Sequence, residues 1–319
     1  MKVCFTRWLG IFAWLLLTMP LGALPAYTED DILRQFMWEG FIRLPQAQRP
    51  KIGLALSAGG VRGFAHVGTL EVLDNAGLPI DAMAGTSMGS VVGSLYAAGL
   101  PAEKLWEIGT HITMKNISPD FNLMGLARVL FSKKLPSSSN LAKFIQDQLG
   151  DIQFEEMKIP FSCAAMDIKT GERVVFNSGP LAIAVRASMN LPGVFEPVQY
   201  RHRALVDGAV VDYLPVQAVR DMGADYIIAS VTPPDFFSKT PQTVAAYLLR
   251  VGDVRGAAMI EVAAQKANFV LTNRVLDTGT LELDKLHQAG EVGVKEAHKN
   301  LKNLQEDILL FAWPYADKK

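Results

Sequence analysis

The 319-residue chain predicts an α/β fold built on a parallel sheet. Three observations carry that expectation. Short apolar runs at residues 52–57 and 226–231 have the pattern of strands buried on both faces. After the first run, Val67, Leu70 and Leu73 fall at three- and four-residue spacings and predict a helix over 64–76, with Gly77 suited to its C-terminal cap. A strand over 79–85 and a helix over 88–98, rich in small side chains and ended by Gly99, then repeat the unit. Strand, helix, strand, helix at this pace implies right-handed crossovers between parallel neighbours.

The remaining elements follow in order. Residues 27–50 form a polar lead-in with one amphipathic patch at 32–44 and a linker marked by Pro45 and Pro50. A single domain is expected over 51–319, helical in its C-terminal part from about 244. A helix is expected over 101–113, then irregular chain over 114–139. Inside that stretch, residues 121–135 are apolar with Arg128, Lys133 and Lys134 nearby. A helix packed on the domain is the commoner object; a lid or membrane-touching patch is the alternative. Ser139 or Asn140 can cap a helix to Leu149. Strands at 159–168 and 173–176 flank Lys169-Thr170-Gly171-Glu172, a hairpin turn. A helix over 181–189 is stopped by Leu191-Pro192-Gly193, and Ala204-Leu205-Val206 leads into Asp207-Gly208-Ala209. Residues 244–272 read as mostly helical, and the tail over 284–307 as helical and charged.

Composition sets bounds. Half the residues are apolar, enough for a sizeable core. Lys and Arg number 31 against 32 Asp and Glu, so no basic excess points to nucleic acid. At the N-terminus Lys2 and Arg7 precede an apolar run from Trp8 to Met19, then Pro20, Gly22 and Pro25 with small Ala23 and Ala26. That pattern describes a secretory signal over 1–26, cleaved near Ala23 or Ala26, and an exported, periplasmic or membrane-associated protein. An uncleaved anchor is the alternative, since no charge occurs from residue 8 to 28. Cys4 lies in this segment, and Cys163 sits in an apolar run as a small core residue, so no disulfide framework is expected.

Two glycine-rich turns carry the chemistry. Gly85-Thr86-Ser87-Met88-Gly89 has the form G-x-S-x-G, which exposes a nucleophilic serine on a strand-to-helix turn. Ala58-Gly59-Gly60-Val61-Arg62-Gly63 ends the preceding strand, with Gly60 27 positions before Ser87. On adjacent parallel strands the two turns would lie side by side, and the Gly59 and Gly60 amides would face an acyl oxygen. The competing reading is a dinucleotide fingerprint, but Ala58 occupies its first glycine position and Ser87 is then left without a role. The base is open on residues alone. Asp207, before Gly208, is either a turn former or a base whose pKa burial would raise from about 3.9. A Ser-His-Asp arrangement would need His287 or His298, both in a charged tail where surface histidines are expected. His66 reads as a packing or hydrogen-bonding residue; His111 and His202 have no partner pattern, and no H-E-x-x-H metal spacing occurs.

Four ordered blocks resemble bacterial patatin-like phospholipases. They are the loop at 58–63, the G-T-S-x-G turn at 85–89, Arg186-Ala187-Ser188 with Leu191–Val198, and Leu205–Val216 around Asp207-Gly208-Ala209. The resemblance runs from about residue 51 to 232. It implies a three-layer α/β/α fold with a mostly parallel central sheet, and a lipid acyl hydrolase working through a Ser-Asp dyad. Ser87 would be the nucleophile and Asp207 the proton acceptor, with Gly59 and Gly60 as the oxyanion hole. Arg62 would shape the loop, form a structural ion pair or approach a phosphate; Gly63, Gly85, Gly89 and Gly208 complete the motifs. No metal or organic cofactor is implied, and the partners would be lipid esters and a membrane surface. The sequence departs from the family's loop at Ala58, where the family has glycine. That departure keeps a catalytically silent lipid-binding or scaffold protein as a rival, beside a Ser-His-Asp esterase.

Overall fold

Among the described residues, eight strands lie in one sheet whose middle is buried on both faces. A computed structural model describes residues 28–120, 135–236, 240–242 and 244–316. The expected signal over 1–26 and residues 121–134 of the apolar patch lie outside the described residues. The strands are β1 (Ile52–Leu56), β2 (Ala82–Thr86), β3 (Phe161–Asp167), β4 (Arg173–Phe176), β5 (Val198–Tyr200), β6 (Arg203–Asp207), β7 (Tyr226–Val231) and β8 (Phe269–Thr272). Their order is β5-β6-β3-β2-β1-β7-β8, with β4 also paired to β3. From β3 through β8 every pairing along this path is parallel; β4 and β6 run antiparallel to β3, and β5 to β6. Every residue of β1, β2 and β7 is buried, as their apolar composition requires.

The helices are α1 (Glu29–Ile42), α2 (Ala65–Asn75), α3 (Met88–Ala97), α4 (Ala102–His111), α5 (Met114–Ile117), α6 (Ser139–Leu149), α7 (Leu181–Ser188), α8 (Val216–Asp221), α9 (Val244–Ala264) and α10 (Leu286–Ala316). Helix α1 covers the amphipathic patch of the lead-in. Its start is fixed by Thr28, whose Oγ1 accepts from the Asp31 amide while the Asp31 carboxylate accepts from the Thr28 amide, both at 3.1 Å. Glu29, Asp30 and Asp31 add negative charge where the helix dipole is positive.

The described residues from 42 onward form one compact unit of three layers. One sheet face, including Ala55, Ala84, Ile227 and Ala229, packs under Val216 and Val219 of α8 and Ile260 and Ala263 of α9. On the other face His66 of α2 bonds to Ser230 of β7, and α3 passes close enough that Gly93 lies against Leu56 and Phe161. Helix α10 lies over α2. Their backbones approach so closely that a Cβ at Gly293 would stand 1.9 Å from the Ala65 carbonyl oxygen.

Three short elements add to the expected pattern. The stretch 244–272 is mostly helical as expected, but α9 ends at Ala264 and Phe269–Thr272 forms β8. Four residues are too few to display a period, and what makes them a strand is the parallel pairing with β7, a non-local partner. The short strand β5 was not anticipated either; its three residues are held by an antiparallel pairing with β6. Within the stretch expected to be irregular, Met114–Ile117 makes one helical turn closed by a capping box between Thr113 and Asn116.

Candidate active site

The register of β1 on β2 pairs Leu56 with Gly85, so both glycine-rich turns leave the sheet at the same C-terminal end of its parallel strands. Ser87 joins β2 to α3 with φ 54° and ψ −123°. A side-chain-bearing residue rarely holds a positive φ, and such strain concentrates at functional turns. The surrounding chain leaves no room for relaxation. A Cβ at Gly89 would stand 2.5 Å from the Leu56 carbonyl oxygen, and one at Gly85 would stand 2.2 Å from that of Gly89. The Ser87 amide donates to Ser188 Oγ at 3.1 Å, and Ser90 Oγ donates to the Ser87 carbonyl at 2.6 Å.

Asp207 ends β6, and its amide donates to the Asn190 carbonyl at 2.9 Å. Its carboxylate meets the serine: Ser87 Oγ donates to Asp207 Oδ2 at 2.7 Å. The other oxygen, Oδ1, accepts from the Ala209 amide at 2.8 Å at the start of the 3₁₀ turn Gly208–Val210. Asp207 is 1% exposed. Burial pushes its pKa up to about 7, against the opposing pull of the hydrogen bonds from Ser87 and Ala209.

The loop after β1 is anchored on both sides of its two glycines. The Ala58 amide donates to the Tyr213 carbonyl at 2.8 Å and the Val61 amide to that of Thr280 at 3.0 Å. The Ala58 carbonyl accepts from Ser57 Oγ at 2.8 Å and Thr232 Oγ1 at 2.9 Å. Between these anchors, the Gly59 and Gly60 amides meet no acceptor among the described residues. Gly60 takes φ +56°, and a Cβ there would stand 2.5 Å from Thr280 Cγ2. Ala58 does not occupy a positive φ, so its methyl group costs no backbone strain at the family's first glycine position. Gly63 sits against Met88, tying this loop to the elbow.

Beneath the loop lies His66. Its Nε2 faces the Ser57 carbonyl at 2.9 Å and so carries the proton, leaving Nδ1 to accept from Ser230 Oγ at 2.8 Å. Burial pushes the His66 pKa down to about 4, and the ring is neutral. Arg62 is also buried, with Nη2 2.9 Å from Asp253 Oδ1 and Nη1 donating to the Thr278 carbonyl at 3.3 Å. Of the three roles open to Arg62 in the sequence, the ion pair is the one its geometry displays.

Ser87, Asp207, Arg62 and the loop glycines line a cavity of about 250 Å³. Ala58, Gly59, Gly60, Arg62, Ser87 and Asp207 form its polar floor; Leu191, Pro192, Val194, Val210, Leu248 and Val251 form apolar walls. No histidine is among the described residues that line it. His287 is exposed, 3.4 Å from Glu291, and His298 is exposed as well. Cys163 is buried in β3, and burial pushes its thiol pKa up. Four residues that shape the site escaped the sequence reading: Tyr213, Thr232, Asp253 and Thr280. Tyr213 stands inside the fourth block, while the other three carry no local signal.

The model of the patatin-like phospholipase family matches residues 54–220, just over half of the chain. The chain belongs to that family. An uncharacterized NTE family protein of Mycobacterium tuberculosis is 33% identical over 191 residues, covering 59% of this chain and 51% of the relative. A lysophospholipase of Neurospora crassa is 27% identical over 290 residues, covering 81% of this chain but 19% of the relative. The chain thus spans about half the length of the mycobacterial relative and about a fifth of the fungal one. Among solved structures, VipD of Legionella pneumophila superposes with a TM-score of 0.50 at 11% identity, covering 80% of this chain and 67% of VipD. That likeness bears on the fold, mixed α/β with a mostly parallel central sheet.

Proposed function

We propose that this patatin-family chain is a serine acyl hydrolase that cleaves carboxylic esters of lipids through a Ser87–Asp207 dyad. The observation that carries the reading is the 2.7 Å hydrogen bond from Ser87 Oγ to Asp207 Oδ2 on the floor of an apolar-walled cavity. Ser87 Oγ bonds to the ester carbonyl carbon as its proton passes to Asp207 Oδ2. The carbonyl oxygen gains negative charge, for which the Gly59 and Gly60 amides are the available donors. Collapse of the tetrahedral adduct breaks the bond to the alkoxy oxygen, which leaves as the alcohol with the proton from Asp207. Water then attacks the acyl-serine. Asp207 takes the water's proton and returns it to Ser87 as the acid departs.

The test is release of fatty acid from phospholipid and lysophospholipid, with a soluble short-chain ester alongside. Ser87→Ala and Asp207→Asn are expected to lose at least about 10²-fold in turnover while His287→Ala and His298→Ala keep it. Loss in a histidine variant that still folds would favour a triad. An inert wild-type chain would favour the scaffold reading. The Neurospora relative carries the name lysophospholipase, which makes single-chain lipids the first substrates to try.

Export belongs to the same proposal. It rests on the charged start, apolar run and small residues within 1–26. Mass analysis of the mature N-terminus tests it, and a chain retaining Met1 would remove the cleaved signal.

A further inference from the structure

We propose that the first half of helix α9 is a docking face for an anionic bilayer, set at the mouth of the Ser87 cavity; the inference rests on the acyl-hydrolase reading of that cavity. Tyr247, Leu248, Val251 and Val254 are 57%, 64%, 66% and 56% exposed. With 3.6 residues per turn, Tyr247, Val251 and Val254 fall within about 60° of one another around the helix axis, and Leu248 extends the stripe on one side. Arg250 follows about 40° beyond Val254, half-buried with its Nη1 donating to the Phe236 carbonyl at 3.1 Å, and the exposed Arg255 falls between Val251 and Leu248. An apolar stripe that carries an exposed guanidinium group is the form that lets side chains enter the headgroup region while the cation stays at the level of lipid phosphates.

The opposite side of the same helix is tied to the catalytic loops. Asp253, the one acid between residues 244 and 256, points inward to the buried Arg62, so it does not oppose an anionic surface. Gly256 sits against the Tyr213 ring on that side, and Arg255, from the stripe itself, reaches back so that its Nε donates to the Val210 carbonyl at 2.6 Å, three residues beyond Asp207. Leu248 and Val251 belong to both surfaces: they are exposed on the stripe and they line the cavity that holds Ser87. A lipid leaving the bilayer at this helix therefore meets continuous apolar contact from membrane to nucleophile. This continuity selects a lipid surface over a protein as the occupant.

The experiment uses the Ser87→Ala chain, so that no lipid is consumed and binding is read apart from turnover. It is co-sedimented with vesicles of phosphatidylcholine alone and of phosphatidylcholine mixed with phosphatidylglycerol. Binding is expected to be stronger on the mixed vesicles and to weaken with salt. Adding Tyr247→Glu and Val254→Glu is expected to lower vesicle affinity about tenfold or more. Leu310→Glu, also highly exposed (74%) but on α10 across the sheet, is expected to bind as the parent does. Circular dichroism confirms that each variant is folded. The proposal is overturned if the double variant binds as the parent does, if Leu310→Glu loses as much, or if the two vesicle types bind equally. It is also overturned if the double substitution turns a dimer into a monomer with vesicle binding intact, which would assign the stripe to a second copy of the chain. Wild-type hydrolysis of a soluble ester separates these outcomes from failure of the hydrolase reading itself.

Discussion

The proposed dyad asks Asp207 to be both buried and basic. A carboxylate of ordinary pKa holds a serine proton poorly, and burial brings this one up to about 7. The sign of the pH dependence follows. The base works ionised, so kcat/KM on a soluble ester is expected to fall about tenfold per pH unit below an acid limb near pH 7 and to level above it. A limb near 4 would mean that the group titrates as an ordinary aspartate. Gly60 poses a second problem at the same scale. Gly60→Ala forces a side chain into φ +56° and against Thr280, which displaces a candidate oxyanion donor. A loss of about 10²–10³ in kcat is expected, with KM little changed; single-turnover measurements on the same ester check it.

Between the residue and the molecule, α9 is what joins the loops around Arg62 and Asp207 to the surface. The Arg62–Asp253 pair is 3% and 18% exposed at its two side chains, so removing one partner strands a buried charge. Asp253→Leu is expected to lose about 3–5 kcal/mol, read from the urea midpoint, and Arg62→Met with Asp253→Leu to recover part of it. A double variant no more stable than the single would refute the pair's role. This contact also shows where sequence reading stops. The β1-α2-β2-α3 unit was legible because apolar spacing, caps and glycine turns are all local signals. Asp253 lies 191 positions from Arg62, and nothing near either residue names the other. Strand β8 was hidden for a similar reason, since its identity resides in β7. The serine was visible from its G-x-S-x-G setting, but its partner was not. Asp207 and the tail histidines stayed open on residues alone, and the patatin resemblance chose between them.

For the whole molecule, the sheet order brings together segments that the chain keeps apart: β1 pairs β7, joining Ile52 to Tyr226. Asp207 and His66, both buried on this assembly, have opposing effects on folding. Asp207 has a folded pKa of about 7 against an ordinary 3.8, so the native state binds the extra proton and acidification through that window stabilises it. His66 has a folded pKa of about 4 against 6.5, so the unfolded chain binds the extra proton and acidification destabilises the native state. Between about pH 4 and 6.5 the two contributions largely cancel. Removing one exposes the other. Relative to wild type, Asp207→Asn is expected to lose up to about 1.4 kcal/mol of stability per pH unit as pH falls from 7 toward 4, having lost the group that offset His66. His66→Gln is expected to diverge in the opposite direction between pH 6.5 and 4. Urea unfolding of the three chains across this range reads both differences, because the exposed carboxylates are common to all and drop out. Parallel stability curves for wild type and Asp207→Asn would show that the carboxylate beside Ser87 titrates alike in the folded and unfolded chain, and the raised base on which the dyad depends would be gone.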